Sequence, residues 1–387
     1  MRLSGITPRW LPWCSFFLIL FISGALGNGL AQALNWRIQT VDGLDRVGWK
    51  SSLALDSTGR PHIVYYDAAH GHLKYARWMG NSWEFQAVDE TADGQEPSLV
   101  PDALGTPHIS YYDFSNRALK YAFNYGGPSN MWWIDLVDNQ GVGWNSSLAL
   151  DNQGEPHISY YDFTNSKLKY AFRSNGRWVI QILGKAGYGF EAGADTSLVL
   201  SDSGVPYISY YDKMTTGTGQ LRMIFKTNDT WWPLVVDAAA GMDLGRGSSI
   251  ALDTQGRPHI SYIDATQGLL KYAYHNGTDW EIIGSVDNAG IAGTSLALDA
   301  GNGIHISYYD HLNGKLKYAF RSSVQAPWVI QTVDPSGNQI GEFSSLALDK
   351  NGKPRISYFD RTAEDLKLAV TLYQFYLPIL LVDQTGP

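Results

Sequence analysis

One motif recurs seven times along the 387-residue chain and leaves little freedom in what it can fold into. Its cleanest copy reads Ser147-Leu-Ala-Leu-Asp151, a turn, Pro156-His-Ile-Ser-Tyr-Tyr-Asp162, a short loop, then Leu168-Lys-Tyr-Ala171. The first segment starts at Ser52, Ser98, Ser147, Ser197, Ser249, Ser295 and Ser345, at spacings of 46, 49, 50, 52, 46 and 50 residues. A period near 50 without helical patterning marks one sheet per repeat. Alternation supplies the strands. Leu53 and Leu55 share a face opposite Ser52 and Ala54, and Ile63 and Tyr65 oppose His62, Val64 and Tyr66. Leu73-Lys-Tyr-Ala76 is a third strand, and Trp178-Val-Ile-Gln-Ile182 and Trp328-Val-Ile-Gln-Thr-Val-Asp334 typify a fourth. Both faces of the first strand are apolar or small, so each sheet is expected to be covered on both sides. Ser and Ala are read as small residues set against Leu where sheets crowd near an axis. The expected fold is all-β: a seven-bladed β-propeller of four-stranded antiparallel blades.

The ring is expected to be closed by the N-terminal strand. Trp36-Arg-Ile-Gln-Thr-Val-Asp42 matches a fourth strand, whereas the seventh repeat supplies only its first three. Closure from the opposite end of the chain would remove an exposed edge. The expected organisation is a leader at 1–33, a propeller at 34–373 and a tail at 374–387. The apolar stretch Tyr376-Leu-Pro-Ile-Leu-Leu-Val382 of that tail is too short to span a bilayer and suits an edge strand or a docking segment. The leader reads as a secretory signal: Arg2 and Arg9, the apolar run Leu11 to Ile22, and a cleavage site at Ala31-Gln-Ala33 or Ala25-Leu-Gly27. Secretion or display at the cell surface follows, with no stable membrane span after cleavage. The single cysteine, Cys14, would leave with the leader, and a core this large needs no disulfide.

The formal charge is −8, or −10 once Arg2 and Arg9 are removed. That argues against a nucleic-acid partner, which requires a basic stripe. A short strand ending in Asp, a Gly turn and a second strand ending in Asp resembles the NHL-type and related propeller repeats of secreted proteins, from about residue 36 to 370. Pro-His-Ile-Ser-Tyr-Tyr-Asp with Leu-Lys-Tyr-Ala is similar to repeats of bacterial and archaeal surface proteins. The resemblance implies the fold alone, because propellers host binding, scaffolding and catalysis alike.

Repeated polar positions are read first as bracing. His62, His108, His157, His259 and His305 each follow by six residues a first-strand Asp: Asp56, Asp102, Asp151, Asp253 and Asp299. A hydrogen bond between the two across the hairpin is expected, rather than a metal site, which would need its ligands to converge. Repeat 4 loses both members, with Ser201 and Tyr207, and repeat 7 sets Asp349 before Arg355. Asp67 and its six equivalents end every second strand and suit capping of the following loop. With the fourth-strand aspartates they would make one face acidic, compatible with Ca²⁺ though requiring no cofactor.

Varied positions carry more information about function. Three and two places before the reference Ser, identity changes while the frame stays fixed, as expected where loops carry recognition. The candidate binding residues there are Trp49, Lys50, Glu96, Trp144, Asn145, Asp195, Arg246 and Glu342. An exposed indole can stack on a sugar ring while neighbouring polar groups bond its hydroxyls; the competing role is plugging the channel mouth. Gly-x-Ser-x-Gly, His-Glu-x-x-His and phosphate-loop motifs are absent, so no catalytic or metal-ligating residue is assigned. The expected function is an exported binding or scaffolding module for carbohydrate or an extracellular protein. The alternatives are a polysaccharide hydrolase or lyase working from the acidic face, and a structural cell-surface protein.

Overall fold

The computed structural model describes residues 34–43, 46–124, 131–183, 191–214, 217–288, 292–337 and 339–372, and every regular element among them is a β-strand. The expected leader at 1–33 and tail at 374–387 lie outside the described residues. The chain opens with β1 (Trp36–Asp42). Blade 1 is β2 (Val47–Leu55), β3 (Pro61–Asp67), β4 (His72–Trp78) and β5 (Trp83–Asp89). Blade 2 is β6 (Gly94–Pro101), β7 (Pro107–Asp113), β8 (Ala118–Phe123) and β9 (Trp133–Asp138). Blade 3 is β10 (Val142–Leu150), β11 (Pro156–Asp162), β12 (Lys167–Ser174) and β13 (Arg177–Ile182). Blade 4 is β14 (Glu191–Leu200), β15 (Pro206–Lys213), β16 (Gly219–Thr227) and β17 (Thr230–Asp237). Blade 5 is β18 (Leu244–Leu252), β19 (Pro258–Asp264), β20 (Leu269–His275) and β21 (Trp280–Asn288). Blade 6 is β22 (Ala292–Leu298), β23 (Ile304–Asp310), β24 (Lys315–Arg321) and β25 (Val329–Thr332). Blade 7 takes β26 (Ile340–Leu348), β27 (Pro354–Asp360) and β28 (Asp365–Thr371), then β1 on the outside. Seven four-stranded antiparallel sheets in a ring form a seven-bladed β-propeller. The N-terminal strand closes it as the sequence indicates, with Trp36 opposite Thr371 and Gln39 opposite Leu368.

The core lies between blades. Leu119, Tyr121 and Phe123 of blade 2 pack on Leu148, Ile158 and Tyr160 of blade 3, and the other blade interfaces follow the same plan. Tryptophans at or just before the fourth strands reach back to the third strand of the preceding blade. Trp178 meets Tyr121 edge-on at 5.3 Å between ring centres, and Trp328 meets Tyr272 at 5.6 Å. Close approach also explains a recurrent glycine. Gly48 has φ +103°, and a Cβ there would lie 2.8 Å from the Cα of Leu366 in blade 7.

The first-strand serines do more than fit a crowded axis. The innermost strand of each blade has an edge with no strand beside it, and the serine of one blade satisfies it in the next. Ser52 Oγ accepts the Leu99 N–H at 3.1 Å and Ser249 Oγ accepts that of Leu296 at 3.0 Å. Ser98, Ser147, Ser197, Ser295 and Ser345 do the same for Leu148, Leu198, Ile250, Leu346 and Leu53. The seven bonds form a closed circuit. A second circuit pairs the hydroxyl just before the reference serine with the second-strand serine of the preceding blade, as in Ser146 with Ser110 at 2.9 Å. Between blades 1 and 2 the two positions are instead Pro97 and Val64, so both hydroxyls are replaced together.

Replacing Ser249 by Ala leaves the Leu296 N–H without its acceptor. The expected cost is about 1 kcal/mol of unfolding free energy, read as a lower denaturation midpoint in urea. An unchanged midpoint would show that the circuit contributes nothing.

Candidate functional site

Strand direction places three features on one face of the ring: the start of each first strand, the loop after each second strand and the end of each fourth. The first strand carries a bulge there. Trp49 pairs with Tyr66, but Ser52 pairs with Val64, so one extra residue is accommodated. That residue takes a left-handed conformation in all seven blades: Lys50, Glu96, Asn145, Asp195, Gly247, Gly293 and Phe343 have φ between 50° and 76°. Asn, Asp and Gly tolerate this region, whereas Lys, Glu and Phe are held there by the ladder on either side.

The bulge brings side chains from different blades together. Lys50 Nζ donates to Glu96 Oε1 of blade 2 and lies 5.6 Å from the centre of the Trp144 ring of blade 3. Burial holds its ammonium below the ordinary lysine value, opposed by the negative charge of Asp195 in blade 4. Asp195 Oδ2 in turn accepts the Gly247 N–H at 3.0 Å. Lys50, Glu96, Trp144 and Asp195 thus form one group at the channel mouth.

Of the residues three places before the reference serine, Trp49, Trp144 and Arg246 lean on the preceding blade, whereas Glu342 pairs within its own. Trp49 lies 5.6 Å from Phe359 and 6.2 Å from Phe343, ring centre to ring centre. Trp144 lies 5.5 Å from Tyr112 and stacks on Phe163 at 6.3 Å. The Arg246 guanidinium stands 4.7 Å from the centre of the Tyr211 ring and bonds Asp243, and Glu342 pairs with Arg361 at 3.4 Å. Glu342 is therefore engaged outside the central group, and Arg246 is bonded outside it while its charge is still felt by Asp195. Both candidate indoles are only partly exposed. The open aromatic surface comes from residues the sequence reading did not single out: Phe114 is 51% exposed and Phe163 is 60% exposed. Each follows the last Asp of a second strand, where the other blades carry Ala68, Lys213, Ala265, His311 and Arg361. That variation beside an unvarying Asp was the available signal.

The same face was expected to be acidic, but its strand-end aspartates are buried or half-buried and paired. At the junction of blades 2 and 3, Asp138 at the end of β9 accepts Tyr160 Oη at 2.7 Å and Lys169 Nζ at 2.8 Å, and Lys169 also reaches Asp162 of its own blade at 3.1 Å. Blades 1, 2, 5, 6 and 7 have the same tyrosine bonded to the strand-end carboxylate of the preceding blade. The second-strand aspartates of blades 1, 2, 3, 5, 6 and 7 cap their loops as the sequence indicates; Asp162 Oδ1 accepts the Asn165 N–H at 2.9 Å. At blade 4 the preceding β13 ends without an aspartate, Arg222 replaces the lysine 2.6 Å from Asp212, and burial pushes the Asp212 carboxyl above its ordinary value.

On the opposite face, the histidines have a partner that spacing did not show. His62 Nδ1 meets Tyr75 Oη at 2.6 Å, and His305 meets Tyr318 likewise at 2.6 Å. His108, His157 and His259 bond Tyr121, Tyr170 and Tyr272. The expected bond to aspartate forms only in blade 6, where His305 Nε2 lies 3.2 Å from Asp299. In the other four pairs the separation is 3.5 to 3.7 Å. In all five blades the expected aspartate still faces the histidine through Oδ2, and the longer separations have a physical cause: Oδ1 of each aspartate is drawn into its own turn. Asp151 Oδ1 accepts the N–H groups of Gln153 and Glu155 at 2.8 and 2.9 Å, and Asp56, Asp102, Asp253 and Asp299 repeat the pattern. Among the described residues, no group of three or more His, Cys, Asp or Glu is arranged to hold a metal ion, and no helix is long and apolar enough to cross a membrane.

No family model matches the chain, and no curated protein does. Solved structures do. An ulvan lyase bound to -[GlcA(1-4)Rha3S]- superposes with a TM-score of 0.62 at 12% identity, covering 87% of this chain and 98% of that one. A lectin from Burkholderia pseudomallei gives 0.57 at 15% identity, covering 88% and 96%. An Aleuria aurantia lectin in complex with Fucα1-6GlcNAc gives 0.50 at 12% identity, covering 72% and 95%. At these identities the likeness is one of fold.

The buried histidines make stability depend on pH. Burial lowers all five, and His62 and His259 fall to about 4. The unfolded chain, with ordinary histidines near 6.5, therefore binds more protons between about pH 6.5 and 4. Stability is full above that window and is lost as pH falls through it. Urea unfolding at pH 7.5, 6 and 5 should show this decline, with a shallower slope in His259→Tyr, the residue repeat 4 already uses. A flat profile would overturn it.

Proposed function

We propose that the chain is an exported carbohydrate-binding propeller, secreted or held at the cell surface, whose ligand lies over blades 1 to 3 on the channel-mouth face. The observation that carries this reading is the open aromatic surface of Phe163, stacked on Trp144, and of Phe114, edge-on to the Tyr112 that Trp144 also contacts, with Lys50 over the Trp144 ring and bonded to Glu96. A pyranose ring offers an apolar C–H face and a rim of hydroxyls. Aromatic faces cover the first, and a few placed donors and acceptors orient the second. Trp49 with Phe343, which is 38% exposed, gives a second aromatic pair at the blade 7 to blade 1 junction. Lectins and a polysaccharide lyase of the same fold support a carbohydrate ligand.

The second reading is a polysaccharide lyase, favoured by the ulvan lyase's superposition over 87% of the chain. Proton abstraction needs a base facing the substrate, and the strand-end carboxylates of this face are instead bonded to lysine and tyrosine within the ring. Binding without turnover is the better-supported function.

The test is a glycan and polysaccharide panel run on the intact chain, on Phe163→Ala and on Trp144→Ala. Phe163 is exposed, so its loss spares folding. Binding should weaken about tenfold in Phe163→Ala, or about 1.4 kcal/mol, and more in Trp144→Ala. Unchanged affinity in both variants would remove the site from blades 1 to 3. Appearance of unsaturated products from an acidic polysaccharide would replace binding with lyase activity.

A further inference from the structure

The seven repeats serve as controls for one another, and blade 1 differs from the rest in the loop joining β3 to β4. In blades 2, 3 and 6 that loop carries Asn116, Asn165 and Asn313, whose Nδ2 donates to the second-strand carboxylate Oδ2 at 2.7, 2.9 and 2.8 Å. Blade 1 has His70 in this place, with Nδ1 3.0 Å from Asp67 Oδ2. The imidazole thus takes over the asparagine's bracing bond. Because Nδ1 must then carry the proton, the lone pair is at Nε2. That atom has no hydrogen bond among the described residues, and the side chain is 63% exposed.

Two residues later comes His72, where blades 2, 3, 5, 6 and 7 carry Ala118, Lys167, Leu269, Lys315 and Asp365. Gly71, at φ +70°, turns the chain between the two histidines. Their ring centres are 5.6 Å apart and their planes differ by 34°. Two imidazoles bound to one ion through nitrogens at about 2.0–2.1 Å have ring centres about 5 Å apart. The rings therefore stand close to chelating distance. They line a shallow cavity with Lys74 and Phe85. The Lys74 ammonium bonds Asp42 at 2.7 Å and lies 3.9 Å from Asp67, so its charge is already matched.

We propose that His70 and His72 form a two-imidazole site for a late first-row divalent ion, with Asp67 as the carboxylate behind His70. A carboxylate on the far ring nitrogen fixes the tautomer and makes the ligating nitrogen more basic. Two protein ligands leave the remaining positions to water or to a ligand from outside the chain, unlike a closed structural cage. Imidazole donors with an open tetragonal geometry favour Cu²⁺, followed by Ni²⁺ and Zn²⁺. The site is independent of the carbohydrate reading.

Its test is Cu²⁺ titration of the full chain without an affinity tag, followed by electron paramagnetic resonance. The control variants come from the chain's own repeats: His70→Asn restores the bracing bond of blades 2, 3 and 6, and His72→Lys restores the residue of blades 3 and 6. Both should fold like the parent. The parent should bind one ion with two imidazole nitrogens in the signal, and each variant should bind at least tenfold more weakly. Single-nitrogen coordination in the parent, or unchanged affinity in either variant, would overturn the site.

Discussion

The inner strand of a propeller blade has an edge with nothing beside it, and its amides must find acceptors across a gap too wide for a regular β-ladder. Here a serine hydroxyl from the preceding blade fills that gap at all seven junctions. Unpaired backbone donors in a confined space cost free energy, and open sheet edges invite pairing with other chains. One short side chain per repeat meets both demands. The arrangement also fixes the spacing of neighbouring blades, and the Leu and Tyr layers outside the serine ring pack at the distance it sets.

Further from the axis, the same junctions are held by charge. A carboxylate ending one blade receives a tyrosine hydroxyl and a lysine from the next. Burying an aspartate is tolerable when its charge is matched and its lone pairs are bonded. Where one member is missing, others change with it. The junction entering blade 4 lacks the aspartate and has Arg222 instead of lysine. The junction between blades 1 and 2 exchanges two hydroxyls for Val64 and Pro97. These are coupled replacements within one interface.

Strand order, blade number and closure by the Trp36 strand were legible because periodicity and the outer-strand motif report them directly. Partners across strands were not. His62 stands six residues after Asp56, and Asp56 does face its Nε2 at 3.6 Å, but the short bond is made by Nδ1 to Tyr75 on the next strand. The serines read as small residues because size and hydrogen bonding look alike in a sequence. At the channel mouth, variation among repeats correctly singled out Lys50, Glu96, Trp144 and Asp195, which the structure brings together. It did not separate them from Arg246 and Glu342. The bulge accounts for part of that distinction: Lys50, Glu96 and Asp195 are bulge residues, whereas Arg246 and Glu342 precede the bulge, and Trp144, which also precedes it, joins the group because Lys50 reaches its ring. Phe114 and Phe163 escaped notice because they follow an aspartate present in every repeat.

Closure of the seventh blade by β1 has a consequence for how the chain acquires its structure. Trp36 and Thr371 are neighbours in the sheet yet sit at opposite ends of the propeller sequence. Blades 1 to 6 are local sheets that can assemble in order as the chain emerges, each templating the next. The seventh must wait for a strand made first and kept unpaired until the end. Contacts of such long sequence separation form slowly. Until that ring closure occurs, blade 7 lacks its outer strand and β1 has no sheet. A chain interrupted before residue 371 would hold nearly all its blades and still be open.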